Sequence, residues 1–146
     1  MSNQHPLSWK WILIGAGITF ALNLILVEVF KGAMAEAYAN GANASLYLYV
    51  ALIAAGAFGV GGLLTGWFSP GETIKEPAIA AAIAVLLNSA DNYYVSSQFE
   101  GFDVMGWLIG TVIMVAIGFG LGMAGGWIGE KIQGDSTDKM RERGEL

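Results

Sequence analysis

Residues 104–128 read VMGWLIGTVIMVAIGFGLGMAGGWI, an unbroken run of about 25 residues without one ionisable side chain. A hydrocarbon core about 30 Å thick is crossed by about 20 apolar residues rising about 1.5 Å each, so this run predicts a transmembrane helix. Working outward, residues 77–95, 46–68 and 9–30 form three further runs of the same kind. The run over 77–95 is the least apolar, because its front half AIAAAIAVLL gives way to Asn88, Asp91 and Asn92. None alternates apolar and polar residues as barrel strands do, and a helix satisfies its backbone hydrogen bonds within itself. The expectation is an all-α membrane protein: four transmembrane helices in an up-down-up-down bundle over residues 1–130, then a charged tail over 131–146. The connections SPGETIKE and SSQFEGFD are short enough to hold antiparallel neighbours together. The longer KGAMAEAYANGANAS, residues 31–45, reads as a loop with at most a partial amphipathic turn.

Bulk composition agrees. The chain is 55% hydrophobic and 13% charged, with a mean hydropathy of +0.55. That leaves too little polar surface to cover a globule in water. There is no cysteine and one histidine, His5, in the polar lead-in before Pro6. Disulfides, thiolate metal sites and cysteine nucleophiles are therefore excluded, and a lone terminal histidine reads as a solvated side chain.

Orientation follows from the cations. In a four-span chain the two termini and the middle loop share one side, which holds Lys10, Lys75, Lys131, Lys139, Arg141 and Arg143, whereas the other side holds Lys31. Positive loops resist translocation, which predicts both termini in the cytoplasm. Trp9, Trp11, Trp67 and Trp127 fall at that inner interface, and Tyr47, Tyr49, Tyr93, Tyr94 and Trp107 at the outer one, where amphipathic rings settle. A cleavable signal peptide is the competing reading of the first span, since Ala33-Met34-Ala35 and Ala37-Tyr38-Ala39 offer small residues at two positions. The length of the apolar run, beyond the roughly 7 to 15 residues of a signal core, argues against it.

Two constellations stand out within the spans. The first is glycine: Gly62 and Gly66 in the second span, and Gly118, Gly122 and Gly126 in the fourth, recur every four residues. Such a row removes side chains from one helical face and lets another backbone approach, either within the chain or in a partner. At a shift of sixty positions Gly62, Gly66 and Trp67 fall on Gly122, Gly126 and Trp127, a hint of a duplicated helical hairpin. The second is polar. Asn88, Asp91 and Asn92 stand at i, i+3 and i+4 on the third span, with Asn88 about 16 Å and Asp91 about 21 Å into the bilayer. Asn23 and Thr111 reach the same layer, making a candidate polar or ion site or a set of interhelical hydrogen bonds. Glu28 and Lys31 form an interfacial pair at i, i+3.

The inner loop Ser69-Pro70-Gly71-Glu72-Thr73-Ile74-Lys75-Glu76-Pro77-Ala78 combines a Pro-Gly turn with a capping box of Thr73 and Glu76 ahead of a proline in the first helical turn. Its pattern SPGxTIxEPA resembles a loop of several small multi-span bacterial membrane proteins of unestablished function. The resemblance covers about ten residues, and it implies bacterial origin and a membrane location, here expected to be the inner membrane, without implying an activity.

Phosphate loops, dinucleotide fingerprints, metalloprotease helices and nucleophile elbows are missing from the sequence. No catalytic residue, cofactor or metal is expected, and no basic surface suits nucleic acid. The expected function is a non-enzymatic accessory, scaffold or assembly subunit. Its partners would be the lipid bilayer and a second copy of the chain or another membrane protein, docked through glycine-rich helices. The alternative is a small oligomeric transporter or channel protomer using the layer of Asn23, Asn88 and Asp91.

The topology is directly testable. A cysteine replacing Ser97 should react with a membrane-impermeant thiol reagent applied outside intact cells, and one replacing Ser136 should not; the opposite labelling would overturn the orientation.

Overall fold

Glycine and alanine, rather than leucine, make the interior of this bundle. The computed structural model describes residues 7–41, 44–69 and 74–133; His5, the turn residues 70–73 and the tail beyond residue 133 lie outside them. The described residues form four helices, each long and apolar enough to cross a bilayer: α1 (Trp9–Ala39), α2 (Ala44–Phe68), α3 (Lys75–Ser96) and α4 (Val104–Gln133). The chain is thus an all-α, four-helix membrane bundle.

The helix limits follow local chemistry more than hydropathy. α1 does not stop where its apolar run ends near residue 30, but continues through the stretch expected to be loop. The alanine-rich sequence after Gly32 favours helix. It ends at Asn40, with Gly41 at φ +91 and its N–H donating to the Tyr38 carbonyl at 3.0 Å, the left-handed exit that glycine adopts without a Cβ penalty. Its 31 residues span about 46 Å, well beyond a core of about 30 Å. Between α3 and α4 the chain turns through Gly101 at φ +84, and Asp103 caps α4 by accepting the Met105 N–H at 3.0 Å. α4 runs on through Lys131 to Gln133, past the expected start of the tail.

Inside α2, Ala55–Val60 wind as a π-helix. The widened turn places Phe58, 2% exposed, in the core with Ala54, Ala57, Ala81, Ala84 and Val85. Composition alone carried no sign of it, since AGAFGV suits an α-helix equally well.

Helix directions alternate along the chain, yet the neighbours are not all antiparallel. α1 and α2 run in opposite senses, as Phe30 meets Tyr49 with ring centroids 5.7 Å apart while Gly15, two to three turns from the amino terminus, lies against Thr65. α2 and α4 run in the same sense and lie side by side. A Cβ built on Gly62 would stand 2.5 Å from the Gly122 carbonyl oxygen, and one on Gly66 2.5 Å from that of Gly126. The positions that correspond at a shift of sixty are therefore in contact. The approach is one-sided, because Gly122 directs its own Cβ position at Ala81 and the Pro77 carbonyl on α3, each 2.7 Å away.

α4 is consequently held from two sides. Gly118, Gly122 and Gly126 meet Val85, Ala81 and Pro77 of α3, while Gly125 and Gly129 meet the backbone of Gly59, Leu63 and Trp67 of α2. Its buried residues are these five glycines. Its large side chains, among them Ile109, Val112, Ile113 and Ile132, point outward and are more than half exposed. Such an exterior suits hydrocarbon, and in hydrocarbon close backbone contact rather than a hydrophobic effect drives helices together.

Gly122→Leu should therefore lower the thermal unfolding midpoint in mild detergent, by an overpacking cost of about 1–3 kcal/mol or more. Gly120→Leu is the control, since a Cβ there meets nothing within 4 Å, and it should leave the midpoint unchanged. Equal effects from the two would refute the packing account.

Candidate polar cavity and the buried carboxylate

Toward the end of the bundle opposite the termini the four helices leave a cavity of about 330 Å³. Its polar wall consists of Asn23 from α1, Asn88, Ser89 and Asn92 from α3, and Thr111 from α4. The apolar wall adds Phe58 from the π-helical turn of α2, Val85, Trp107 and Met114, with Gly110 opening space. A Cβ on Gly110 would meet nothing within 4 Å. Each helix thus contributes for its own reason: the π turn aims Phe58, and the missing side chain of Gly110 leaves the volume empty.

Of the five residues expected in a polar layer, the structure brings Asn23, Asn88, Asn92 and Thr111 to one cavity. It leaves out Asp91, which is exposed and does not line it. The reason is angular. At about 100° per residue, Asp91 lies about 110° from the mean direction of Val85, Asn88, Ser89 and Asn92. It sits instead within about 20° of the direction of Ala80, three turns earlier, and Ala80 faces Gly15 of α1. Ser89, which sequence spacing did not single out, takes the place on the wall. Hydrocarbon solvates an outward-facing carboxylate poorly, so Asp91 belongs at the outer interface, beside Tyr93 and Tyr94.

The cavity wall carries no ionisable side chain among the described residues. Farther along α1, Lys31 and Glu28 pair with each other at 3.0 Å, and their side chains are 68% and 73% exposed. Within the wall, Asn92 accepts the Ser96 hydroxyl at 3.1 Å. Asn88 has a buried amide nitrogen with no hydrogen-bond partner among the described residues, as does the Thr19 hydroxyl one turn from Asn23. A buried unsatisfied donor costs about 1–3 kcal/mol. Tyr93 lies outside the cavity against Trp107, ring centroids 4.9 Å apart, and against Phe102 at 5.5 Å, so the indole is braced from behind.

A second polar centre lies at the opposite end of the bundle. Glu76, in the first turn of α3, is 2% exposed. Its Oε1 accepts the backbone N–H of Ser8 at 2.5 Å, and its Oε2 accepts the Ser69 hydroxyl at 3.1 Å. Ser8 precedes α1 and Ser69 follows α2, so one carboxylate joins three helix ends. α1 and α3 are parallel here, and their N-terminal ends both favour a negative charge. One turn and two turns along the same seam, the buried Thr65 hydroxyl donates to the Gly61 carbonyl at 2.7 Å, and Gly61 in turn abuts Thr19.

Glu76 has a larger role than its expected part in a capping box. The residue preceding α3 is Ile74, without a side-chain cap, and Thr73 lies outside the described residues. The SPGxTIxEPA pattern contains both Ser69 and Glu76, so its two ends are bonded to each other. Behind Glu76 the run Pro77-Ala78 with Ala80, Ala81 and Ala84 is buried, so the start of α3 is stripped of bulk where its neighbours cover it.

Lys131 stacks over Trp127, 3.7 Å from the ring centroid, and Trp67 stacks on Phe68 at 5.2 Å. These rings and the Lys131 ammonium cluster at the end where α1 begins and α4 finishes.

No family model, curated protein or solved structure matches the chain. Its functional reading rests on the geometry above.

Glu76→Ala removes the acceptor of one buried and one partly buried hydrogen bond, a buried donor left unpaired costing about 1–3 kcal/mol, and should lower the unfolding midpoint clearly. Glu76→Gln keeps one carbonyl acceptor and should lower it less. A midpoint unchanged in Glu76→Ala would show that the three helix ends are held by other means.

Proposed function

We propose that the chain is a non-enzymatic bacterial inner-membrane protein that binds a small solute between its four helices, as a carrier or channel protomer, with both termini cytoplasmic. The cavity supports this reading: hydrogen-bonding side chains from α1, α3 and α4 converge on about 330 Å³ of space rather than on one another. Ligand sites in helical bundles take this form, apolar walls with a few placed polar groups. The orientation is supported by the distribution of lysine and arginine, and it turns the cavity toward the outside. The bacterial assignment is supported by the resemblance of the inner loop.

The reading of the chain as an accessory or assembly subunit draws little from the glycine rows. Gly62, Gly66, Gly118, Gly122 and Gly126 are occupied by the chain's own helices, which leaves them no face for a partner. Four helices enclose little volume, so passage across the whole bilayer calls for an opening motion or for association of several copies.

Permeation tests the proposal. Proteoliposomes shrunk osmotically with glycerol should recover volume, followed by light scattering, several-fold faster than protein-free liposomes. Thr111→Phe, which fills the cavity, should abolish the gain, and Asp91→Asn, outside it, should not. Recovery at the protein-free rate for glycerol, urea and small amides alike would overturn a permeation role.

A further inference from the structure

From the make-up of its wall we infer that the cavity selects an uncharged ligand that presents a carbonyl or hydroxyl oxygen beside a short apolar surface, and rejects cations and anions of the same size. This rests on the cavity being the binding site, and it specifies what the cavity takes.

Three observations carry it. The first is the absence of charge from the wall among the described residues. Asp91 is turned away, and the Glu28–Lys31 pair is exposed and self-neutralised. A charged ligand entering a space without a counter-charge would exchange part of its hydration for a few neutral dipoles, with no opposite charge to offset the loss. The second is the donor and acceptor inventory. Three primary amides and two hydroxyls each offer both a donor and an acceptor, the equipment for neutral groups such as amides and alcohols. The Asn88 amide nitrogen adds a specific demand. It is buried without a partner, and rotation about its terminal torsion, which has broad minima, brings it to an acceptor oxygen placed at the wall. A ligand that supplies that oxygen relieves an existing defect, whereas one that lacks it leaves the donor unpaired. The third is the opposing surface of Phe58, Val85, Trp107 and Met114, which suits carbon-bound hydrogens rather than a hydrated headgroup. Bracing by Tyr93 fixes the Trp107 ring as one flat side of the space.

The same chemistry is found in two sources: a water-soluble amide or polyol, and the glycerol-ester region of an uncharged lipid. The test separates them. Full-length protein in phosphatidylcholine nanodiscs is titrated with propionamide or glycerol in the aqueous phase, and with diacylglycerol in the bilayer. Tetramethylammonium, methanesulfonate and phosphatidylglycerol serve as charged counterparts, and the readout is the thermal unfolding midpoint.

At least one neutral probe should raise the midpoint by about 4 °C at tenfold excess over its Kd, in a saturating manner. The responding arm names the source. Asn88→Leu should abolish the shift, and Thr111→Val, which keeps shape and loses one hydroxyl, should raise Kd several-fold. Thr111→Val keeps the test valid should Asn88→Leu fold poorly. Saturable shifts of equal size from tetramethylammonium or methanesulfonate, lost in the same variants, would overturn the neutral class while leaving the cavity as a binding site. A neutral shift unaffected by both variants would move the ligand elsewhere and overturn the assignment. Silence from all probes would also overturn the inference, and the swelling measurement would then decide the cavity's role independently.

Discussion

Everything in this bundle depends on backbone lying against backbone along α4. In a bilayer the lipid chains are as apolar as leucine, so a leucine-lined helix gains little by leaving lipid for protein. Dispersion between closely spaced atoms is what remains, and it falls off over fractions of an ångström. Glycines at Gly118, Gly122, Gly125, Gly126 and Gly129 bring α4 close enough to α2 and α3 for that force to act. Alanines on α3 answer them on one side and glycines on α2 on the other. The large side chains of α4, freed from packing, become its lipid-facing surface.

That economy of bulk has a counterpart in where polar groups are placed. The half of the bundle near the termini is tight, and its polar centre is satisfied: Glu76 holds Ser8 and Ser69, and Thr65 bonds back to its own helix. The other half opens around Asn23, Asn88 and Thr111 and leaves an amide nitrogen without a partner. One end is therefore knit together, and the other keeps a polar-walled space. A carboxylate that ties the entry of α1, the exit of α2 and the start of α3 also explains how the small, featureless interior face of α3 keeps its register against two helices at once.

The fold was legible because its cause is one-dimensional: a run such as 104–128 is too apolar and too long to be anything but a spanning helix. The limits of α1 were less so, because Lys31 and Glu36 end the hydropathy while the alanines around them sustain the helix. The polar layer was partly legible. Spacing placed Asn88, Asp91 and Asn92 on one broad face, but a face about 100° wide must be divided between two neighbours, and only the position of α4 decides that Ser89 joins the cavity and Asp91 does not. Glu76 was read as a local cap because its partners Ser8 and Ser69 come from other helices, and nothing in one-dimensional spacing announces a contact across 68 positions.

The π-helical turn at Ala55–Val60 uncouples the length of α2 from the facing of its two ends. Such a turn absorbs one residue more than an α-helix needs, so losing a single residue within it would let the helix rewind as α while the segments on either side keep their relative facing. The contact of Phe30 with Tyr49 on one side of the turn and those of Gly62 and Gly66 on the other could then both be kept, whereas a deletion in the α-helical parts would turn one against the other by about 100°. In the middle of what reads as plain hydrophobic sequence, a change of one residue in length would here be felt at Phe58 in the core rather than in the alignment of the two ends of the protein.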